Sequence, residues 1–68
     1  MNIKLNGQHI EIDAGTTLAT LLDGHGVTEE TAGVAVAVND VVVPRRNWET
    51  HVPGEGDRIE VVRAVQGG

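Results

Sequence analysis

The sequence predicts an α+β fold in which one short helix packs on one face of a mixed β-sheet. Three patterns carry this prediction: apolar and polar residues alternate over residues 1–6, leucines have helical spacing in residues 18–22, and valines recur at every second position in residues 33–38. With 68 residues, of which 40% are apolar, the chain has the size and composition of one small domain. We expect residues 1–65 to form this domain and residues 66–68 to form a flexible C-terminal Gly-Gly tail.

The first two predicted strands form a hairpin. Residues 1–6 alternate with the period of a half-buried strand. Asn6-Gly7 then favours a type I′ turn, because both central residues of that turn need a positive φ. The return strand covers residues 8–13 and turns Ile10 and Ile12 towards the core.

The predicted helix comes directly after this hairpin. Thr16 or Thr17 can cap its N terminus by accepting a hydrogen bond from an unpaired backbone N–H. The three leucines lie at i, i+3 and i+4, so they share one face. Gly24 is expected to end the helix in the left-handed conformation. Since two turns are too short to persist in water, the leucine face must pack on the sheet.

Three further strands complete the prediction. Residues 33–38 are apolar on both faces, which predicts a central strand covered by the helix on one side and shielded on the other. Asn39-Asp40 is a turn, and residues 41–43 form a short strand that Pro44 stops. Residues 45–49 form a 3₁₀ turn in which Trp48 fills the core. Residues 53–57 are a tight loop, and residues 58–65 are the last strand.

The resulting order is β-β-α-β-β-β. A mixed sheet with one helix packed across it is a two-layer architecture. This order resembles the ubiquitin-like β-grasp fold, in which the first and last strands are central, parallel neighbours. The strand order is implied by that resemblance and not by periodicity.

Composition excludes several classes of function. The chain has 5 basic and 10 acidic residues and a net charge of −5, so nucleic acid is not an expected partner, and basic protein surfaces are. The one basic pair, Arg45-Arg46, is read as a solvated turn. The chain has no Cys, Ser or Tyr, which leaves a poor set of nucleophiles for an enzyme. Without a leader or a long apolar segment, we expect a cytoplasmic protein that does not contact a membrane.

The C-terminal Gly67-Gly68 is the most informative pair in the sequence. Two terminal glycines have no side chains and very permissive backbone angles, so they can bring a carboxylate through a narrow channel into another protein. The pair follows a predicted strand with almost no linker, which favours a functional interpretation over a loose chain end.

The remaining candidate residues suggest no chemistry. His9, His25 and His51 lack the spacing of metal ligands, so we expect no metal site. Gly54 and Gly56 do not precede a helix, as a phosphate-binding loop would require.

Several of these residues together resemble a known family. Val43-Pro44-Arg45 with Trp48, then Gly56-Asp57-Arg58-Ile59 and the terminal Gly67-Gly68, are similar to the ThiS family of sulfur carrier proteins of thiamine biosynthesis. The resemblance extends over the whole chain and includes its length, its helix and the turn at Asn39.

The resemblance implies a carrier that is a substrate and not an enzyme. An E1-like adenylyltransferase (ThiF) would adenylate the Gly68 carboxylate with ATP and magnesium, neither of which the carrier binds stably. A persulfide on a sulfur-donor protein would then leave a thiocarboxylate at Gly68, which thiazole synthase (ThiG) would use. Gly67 and Gly68 would thread into these partners, and Val62, Ala64 and Val65 would contribute apolar docking contacts.

Other functions remain open on the sequence alone. The chain could be a ubiquitin-like modifier that forms an amide with a lysine. It could also be a sulfur carrier of the molybdopterin type, which shares the Gly-Gly end, or a passive β-grasp binding module. The mass of the chain isolated from cells, and the effect of removing the tail, would separate these possibilities.

Overall fold

The computed structural model describes residues 1–64 of the chain. Five strands, one α-helix and one 3₁₀ turn follow one another in these residues, in the predicted order. They are β1 (Asn2–Leu5), β2 (Gln8–Glu11), α1 (Leu18–Asp23), β3 (Val34–Val38), β4 (Val41–Val42), the 3₁₀ turn Arg45–Asn47 and β5 (Arg58–Arg63).

The five strands of this part of the chain form one mixed sheet in the order β2-β1-β5-β3-β4. β1 and β5 are parallel neighbours, and the other three pairs of strands are antiparallel. The β-grasp arrangement is therefore confirmed. Its consequence for function is that β5, the last strand, lies at the centre of the sheet.

Both tight turns of the sheet use left-handed residues. Asn6 and Gly7 have φ of 49° and 83°, and Asn39 and Asp40 have φ of 50° and 71°. These pairs fit the type I′ geometry that joins antiparallel strands without splaying them. The predicted Asn6-Gly7 hairpin is confirmed.

Helix α1 begins as predicted and ends differently. The Thr17 side chain accepts a hydrogen bond from the Thr20 N–H at 3.2 Å, which caps the N terminus. Gly24 is right-handed, with φ of −63°, so the prediction of a left-handed cap there was wrong. The chain continues to turn and reverses at Gly26, where φ is 81°. This later reversal allows Val27 to enter the core, where it is buried.

The core lies between α1 and one face of the sheet. Leu18, Leu21 and Leu22 are all buried, which confirms the predicted leucine face. Trp48 is buried as well and is the largest side chain of the core. Within residues 1–64 the buried core cluster consists of Ile3, Leu5, Leu18, Leu21, Leu22, Val27, Val34, Val36, Val38, Val43, Trp48 and Ile59, and Pro53 is buried as well.

The opposite face of β3 departs from the prediction. Val34, Val36 and Val38 are buried beneath α1, whereas Ala35 is exposed and Ala37 is half-buried on the other face. The expectation that both faces are covered was wrong within the described residues. Alanine is small and apolar and occurs on both buried and exposed faces, so its presence in the sequence does not predict whether this face of the strand is covered.

Candidate functional site

The predicted reactive residues, Gly67 and Gly68, lie outside the described residues, and so does Val65. The structure instead shows how the chain is held immediately before them. β5 runs through the middle of the sheet and ends at Arg63, and one further backbone hydrogen bond holds Ala64, the last described residue. The candidate site is therefore the end of β5 together with the sheet surface around it.

Ala64 is anchored by the residue that precedes β3. Its N–H donates to the Gly33 carbonyl oxygen at 2.6 Å, which extends the β3–β5 pairing to residue 64. Gly33 has φ of 70°, and a Cβ added there would lie 3.6 Å from the Ala64 Cβ. A side chain at residue 33 would thus be strained by its backbone angle more than by lack of space. This anchor fixes the position of Ala64 at the end of β5.

The exposed sheet face beside the end of β5 is apolar on the β3–β4 side. Val62 pairs with Ala35, and Ala37 pairs with Val42, so the four side chains lie on the same face. Val62 is 58% exposed and Val42 is 66% exposed. We call these four residues, Ala35, Ala37, Val42 and Val62, the apolar patch. Its valines are large apolar side chains held in contact with solvent, which is typical of a surface that binds another protein.

The β1–β2 side of the same face is polar. It presents Lys4 and Asn2 from β1, and their cross-strand partners His9 and Glu11 from β2. The exposed face is therefore divided into the apolar patch beside the end of β5 and a polar part that also includes Arg58 and Glu60 of β5. Glu60 pairs with Ala37, so a charged side chain lies directly against the patch. Such a division allows a partner to bind in one orientation.

The predicted docking residues agree only partly with this patch. Val62 belongs to it, and Ala64 is exposed at its edge. Sequence reasoning missed Ala35, Ala37 and Val42 because they looked like core residues. The turn at Asn39-Asp40, combined with the burial of alternate β3 valines, is the signal that places them on the open face.

Arg45 has a structural role that the sequence did not reveal. Its guanidinium donates to the Glu29 carbonyl oxygen at 2.6 Å and to the Val34 carbonyl oxygen at 2.9 Å. The same group stacks 5.3 Å from the centroid of the Trp48 ring. Trp48 in turn donates its indole N–H to the Val43 carbonyl oxygen at 3.0 Å. Arg45 is therefore not a solvated turn residue, since it connects the 3₁₀ turn to the start of β3.

Asp57 holds two loops together at the other end of β5. Its carboxylate accepts hydrogen bonds from the Gly54 N–H at 2.7 Å and from the Asn39 side-chain amide at 2.9 Å. These bonds stabilise the ionised form and, with a smaller contribution from His51, hold the pKa of Asp57 below its usual value of 3.8. Asn39 also accepts from the Arg58 N–H at 2.9 Å, which ties the β3–β4 turn to the beginning of β5.

The Pro-Arg…Trp and Gly-Asp motifs are thus parts of the scaffold. Neither brings together a nucleophile and a base, and no group of His and acidic side chains within residues 1–64 could hold a metal ion. No helix in the described part of the chain is long and apolar enough to cross a membrane. The described residues therefore offer no reactive group of their own, and the C-terminal carboxylate stays the candidate reactive group that the sequence predicts.

The fold and this site define a class of protein: a ubiquitin-like β-grasp domain whose central strand β5 is followed in the sequence, within a few residues, by Gly67-Gly68. The family model described as the ThiS family matches residues 3–68. The chain belongs to the ThiS family, the sulfur carrier proteins of thiamine biosynthesis.

Individual relatives agree with this assignment. The sulfur carrier protein ThiS of Escherichia coli K12 is 35% identical over 68 residues, which cover 100% of both chains. A thiazole synthase of Magnetococcus marinus is 46% identical over 68 residues, which are 100% of this chain and 20% of that protein.

Solved structures show the same fold. The crystal structure of the thiamine biosynthesis protein ThiS from Geobacter metallireducens matches with a TM-score of 0.77 and 27% identity, over 100% of both chains. SAMP1 from Haloferax volcanii matches with a TM-score of 0.62 over 98% of this chain and 97% of that one. At 18% identity, this second likeness shows the fold alone.

Proposed function

We propose that the C-terminal carboxylate of Gly68 is the group that carries sulfur. An E1-like adenylyltransferase (ThiF) activates it with ATP and magnesium, a persulfide protein supplies the sulfur, and thiazole synthase receives it. The single observation that carries this proposal is the position of β5. β5 is a central strand of a ThiS-family fold, its pairing with β3 extends to Ala64, and Gly67-Gly68 follows in the sequence three residues later.

The proposed chemistry explains why the partner needs ATP. A carboxylate is a poor electrophile, so one of its oxygens first attacks the α-phosphorus of ATP and releases pyrophosphate. The terminal sulfur of a protein persulfide then attacks the acyl carbon and displaces AMP, which leaves an acyl disulfide. A thiol cleaves the S–S bond of that disulfide, so Gly68 keeps the sulfur as a thiocarboxylate and the thiol becomes oxidised to a disulfide. Apart from the Gly68 carboxylate itself, the reacting groups belong to ATP, partner proteins and the thiol, in agreement with the poor set of nucleophiles in this sequence.

The two glycines suit this chemistry because the reacting carbon must enter another protein's active site. A backbone without side chains needs the narrowest channel, and a misplacement of about 1 Å at a reacting centre can cost a hundredfold in rate. In this proposal residues 1–64 bind the partner, and the C-terminal glycines carry the reacting group.

The apolar patch is the proposed docking surface. It lies on the sheet beside the end of β5, so a partner bound there is next to the last described residues before Gly67 and Gly68. The net charge of −5 adds attraction to a basic partner surface. Val42 and Val62 are exposed valines whose burial would contribute about 1.5 kcal/mol or more each if it were complete.

The likeness to a thiazole synthase supports that enzyme as the acceptor. A protein of that name contains a segment that is similar to the whole of this chain, and this segment makes up 20% of that protein's length. A domain of this kind linked to that enzyme brings a sulfur carrier and a thiazole-forming activity into one polypeptide.

Intact-mass analysis tests the proposal. The chain is incubated with the adenylyltransferase, magnesium–ATP, a persulfide donor and a thiol reductant. We expect the mass gain of one oxygen-to-sulfur replacement, and a greatly reduced yield for Gly68→Ala. Conjugates of higher mass would instead indicate a lysine modifier, and sulfur transfer by a chain lacking Gly67 and Gly68 would contradict the carrier role.

A matched pair of variants tests the docking surface. Val62→Asp places a charge in the apolar patch, whereas Val62→Thr keeps the shape of the side chain with little change in the fold. We expect Val62→Asp to raise the KM of adenylation about tenfold or more, with Val62→Thr close to the original protein. Equal KM values for the two variants would exclude Val62 from the interface.

A further inference from the structure

β5 extends well beyond its parallel neighbour. β1 pairs with β5 only at Lys4↔Arg58 and Leu5↔Ile59, after which the chain turns away at Asn6-Gly7. On its other side β5 stays paired with β3 as far as Arg63. The C-terminal half of β5 is thus paired with β3 on one side, whereas its other side has no neighbouring strand in the described residues.

The hydrogen-bond pattern shows which backbone groups face that edge. The Asn39 N–H donates to Arg58, and the Ala64 N–H donates to Gly33, so even-numbered residues of β5 bond to β3. The odd-numbered residues therefore face β1. Among them, Ile59 accepts from the Asn6 N–H at 2.8 Å, and Val61 donates its N–H to the Asn6 side-chain oxygen at 2.8 Å.

Beyond Asn6 this edge has no partner within residues 1–64. The Val61 carbonyl oxygen and the Arg63 N–H face the gap left by the end of β1, and no hydrogen bond joins either group to another described residue. We call these two groups the unpaired edge. One acceptor and one donor on successive odd residues are the groups that a further strand would bond.

A groove lies along the unpaired edge. It encloses about 450 Å³, and Ile10 and Val61, both half-buried, contribute apolar surface to it. Leu22 and Val27 lie behind them, and Arg63 borders the groove. An unpaired strand edge and a partly apolar groove therefore occupy the same place, next to the end of β5.

We propose that an extended segment of the adenylyltransferase adds to the sheet here, in line with β1, and bonds to the Val61 carbonyl and the Arg63 N–H. Its alternate side chains point into the groove, where an apolar residue meets Ile10 and Val61, and an acidic residue pairs with Arg63. This inference rests on the proposed function, since the segment belongs to the enzyme that activates Gly68. Its benefit is positional, because a strand bonded at residues 61 and 63 fixes the register of the chain that enters the active site.

Backbone pairing, and not only side-chain docking, is what the observations favour. A side-chain groove would not require two unpaired backbone groups at its border. A second copy of this chain could also add a strand, but it could offer only its own two-group unpaired edge or its outer strands β2 and β4, which have four and two residues. The adenylyltransferase is the partner that must hold the terminal segment extended while its carboxylate reacts.

Proline substitutions test the geometry first, without any partner. Proline removes a backbone N–H, so Arg63→Pro deletes the donor at the unpaired edge, whereas Val62→Pro deletes a donor that faces β3. We expect Val62→Pro to lower Tm clearly and Arg63→Pro to melt close to Arg63→Ala, which keeps the N–H and loses the same side chain. A similar loss of Tm for both prolines would show that the Arg63 N–H is bonded within the fold, and would overturn the inference.

The functional test compares Arg63→Pro with Arg63→Ala in adenylation. We expect KM to rise about tenfold for Arg63→Pro relative to Arg63→Ala, as expected for the loss of backbone pairing, with Tm the same. Equal KM values would overturn the inference while leaving the carrier function intact. If the original protein itself were not adenylated, the proposed function would fail instead.

Amide hydrogen exchange gives an independent readout by NMR. In the free chain the Arg63 N–H should exchange much faster than the Val62 and Ala64 N–H groups, which face β3. Binding of the adenylyltransferase should slow the exchange at Arg63 at least tenfold. An Arg63 amide that exchanges equally fast in the free and bound chains would contradict strand addition.

Discussion

Single residues of the family motifs join separate loops by hydrogen bonds. At Asp57 both hydrogen bonds have the same direction, because the carboxylate is the acceptor in each. Both groups that contact its carboxylate are donors, the Gly54 N–H and the Asn39 amide NH₂. The Asn39 amide cannot reverse without loss, because its oxygen already accepts from the Arg58 N–H. An acceptor-only side chain is therefore required at residue 57.

Asp57→Asn should destabilise the fold by about 1 kcal/mol at neutral pH, because its amide NH₂ must face one of those two donors. The control is Asp40→Asn, which removes only an exposed ion pair with Arg58 and should change stability by no more than about 0.5 kcal/mol. Urea unfolding of the three proteins measures this difference. A loss for Asp40→Asn as large as for Asp57→Asn would contradict the role of Asp57.

The same residue makes a prediction about pH. Folding lowers the pKa of Asp57 below its usual value of 3.8, so its contribution is complete above that value and is lost as the pH falls through the lower pKa of the folded state. The stability difference between the original protein and Asp57→Asn should be constant from pH 7 to about pH 5 and shrink below about pH 4. Urea midpoints measured across this range provide the check, and a difference that grows on acidification would reverse the assigned sign.

Arg45 and Arg46 are adjacent in sequence and different in structure. Arg45 bonds two backbone carbonyl oxygens and stacks on Trp48, whereas Arg46 is exposed. Arg45→Ala should cost about 1–3 kcal/mol, because it leaves two carbonyl groups without this partner, and Arg46→Ala should cost no more than about 0.5 kcal/mol. Denaturant unfolding compares the two, and equal losses would mean that the contacts of Arg45 contribute nothing in solution.

At the scale of elements, helix α1 depends on the sheet for its existence. A helix of six residues is too short to be stable alone, and its three leucines are all buried against the strands. The helix is therefore stable only when it packs on the sheet, so the loss of a leucine contact should lower the free energy of unfolding of the whole domain.

Leu21→Ala should accordingly cost about 2–5 kcal/mol, a large part of the stability of so small a domain. Asp23→Ala on the same helix is the control, since the side chain is exposed and alanine favours helix, so its effect should lie within about 0.5 kcal/mol. Urea melts that show similar effects for both variants would mean that the buried face of the helix is assigned incorrectly.

The elements also show what sequence patterns can and cannot predict. The β1–β2 hairpin and the leucine face followed from local spacing, because Asn6-Gly7 and the three leucines each satisfy a local rule. The apolar patch did not, because Ala35 and Val42 obey the same alternation whether their face is covered or open. The roles of Arg45 and Asp57 could not be predicted, because Arg45 bonds to residues 11 and 16 positions away and Asp57 bonds to Asn39, 18 positions away. No periodicity records contacts at such distances.

At the scale of the whole molecule, the net charge of −5 should act on association. Stopped-flow association with the adenylyltransferase should slow as ionic strength rises, because screening weakens the attraction between this acidic domain and a basic partner. A variant with Glu29→Gln and Glu30→Gln, both exposed, should associate more slowly at low salt and converge with the original protein at high salt. Rates that do not change with salt would leave apolar docking as the main source of association.

The division between a folded body and a reacting end leads to the final prediction. All twelve core residues of the described part of the chain lie between Ile3 and Ile59, so deletion of Gly67 and Gly68 removes none of them. We expect the truncated chain to keep its urea midpoint and Tm, and to compete with the full chain for the adenylyltransferase through the apolar patch and the unpaired edge. Its adenylation should nevertheless vanish, because the new terminal carboxylate ends two residues short of the active site. Val62→Asp introduced into the truncated chain is the control, since it should weaken the competition about tenfold or more without altering stability. If the truncated chain failed to compete although it was folded, binding would depend on the last two residues themselves, and the assignment of docking to residues 1–64 would be wrong.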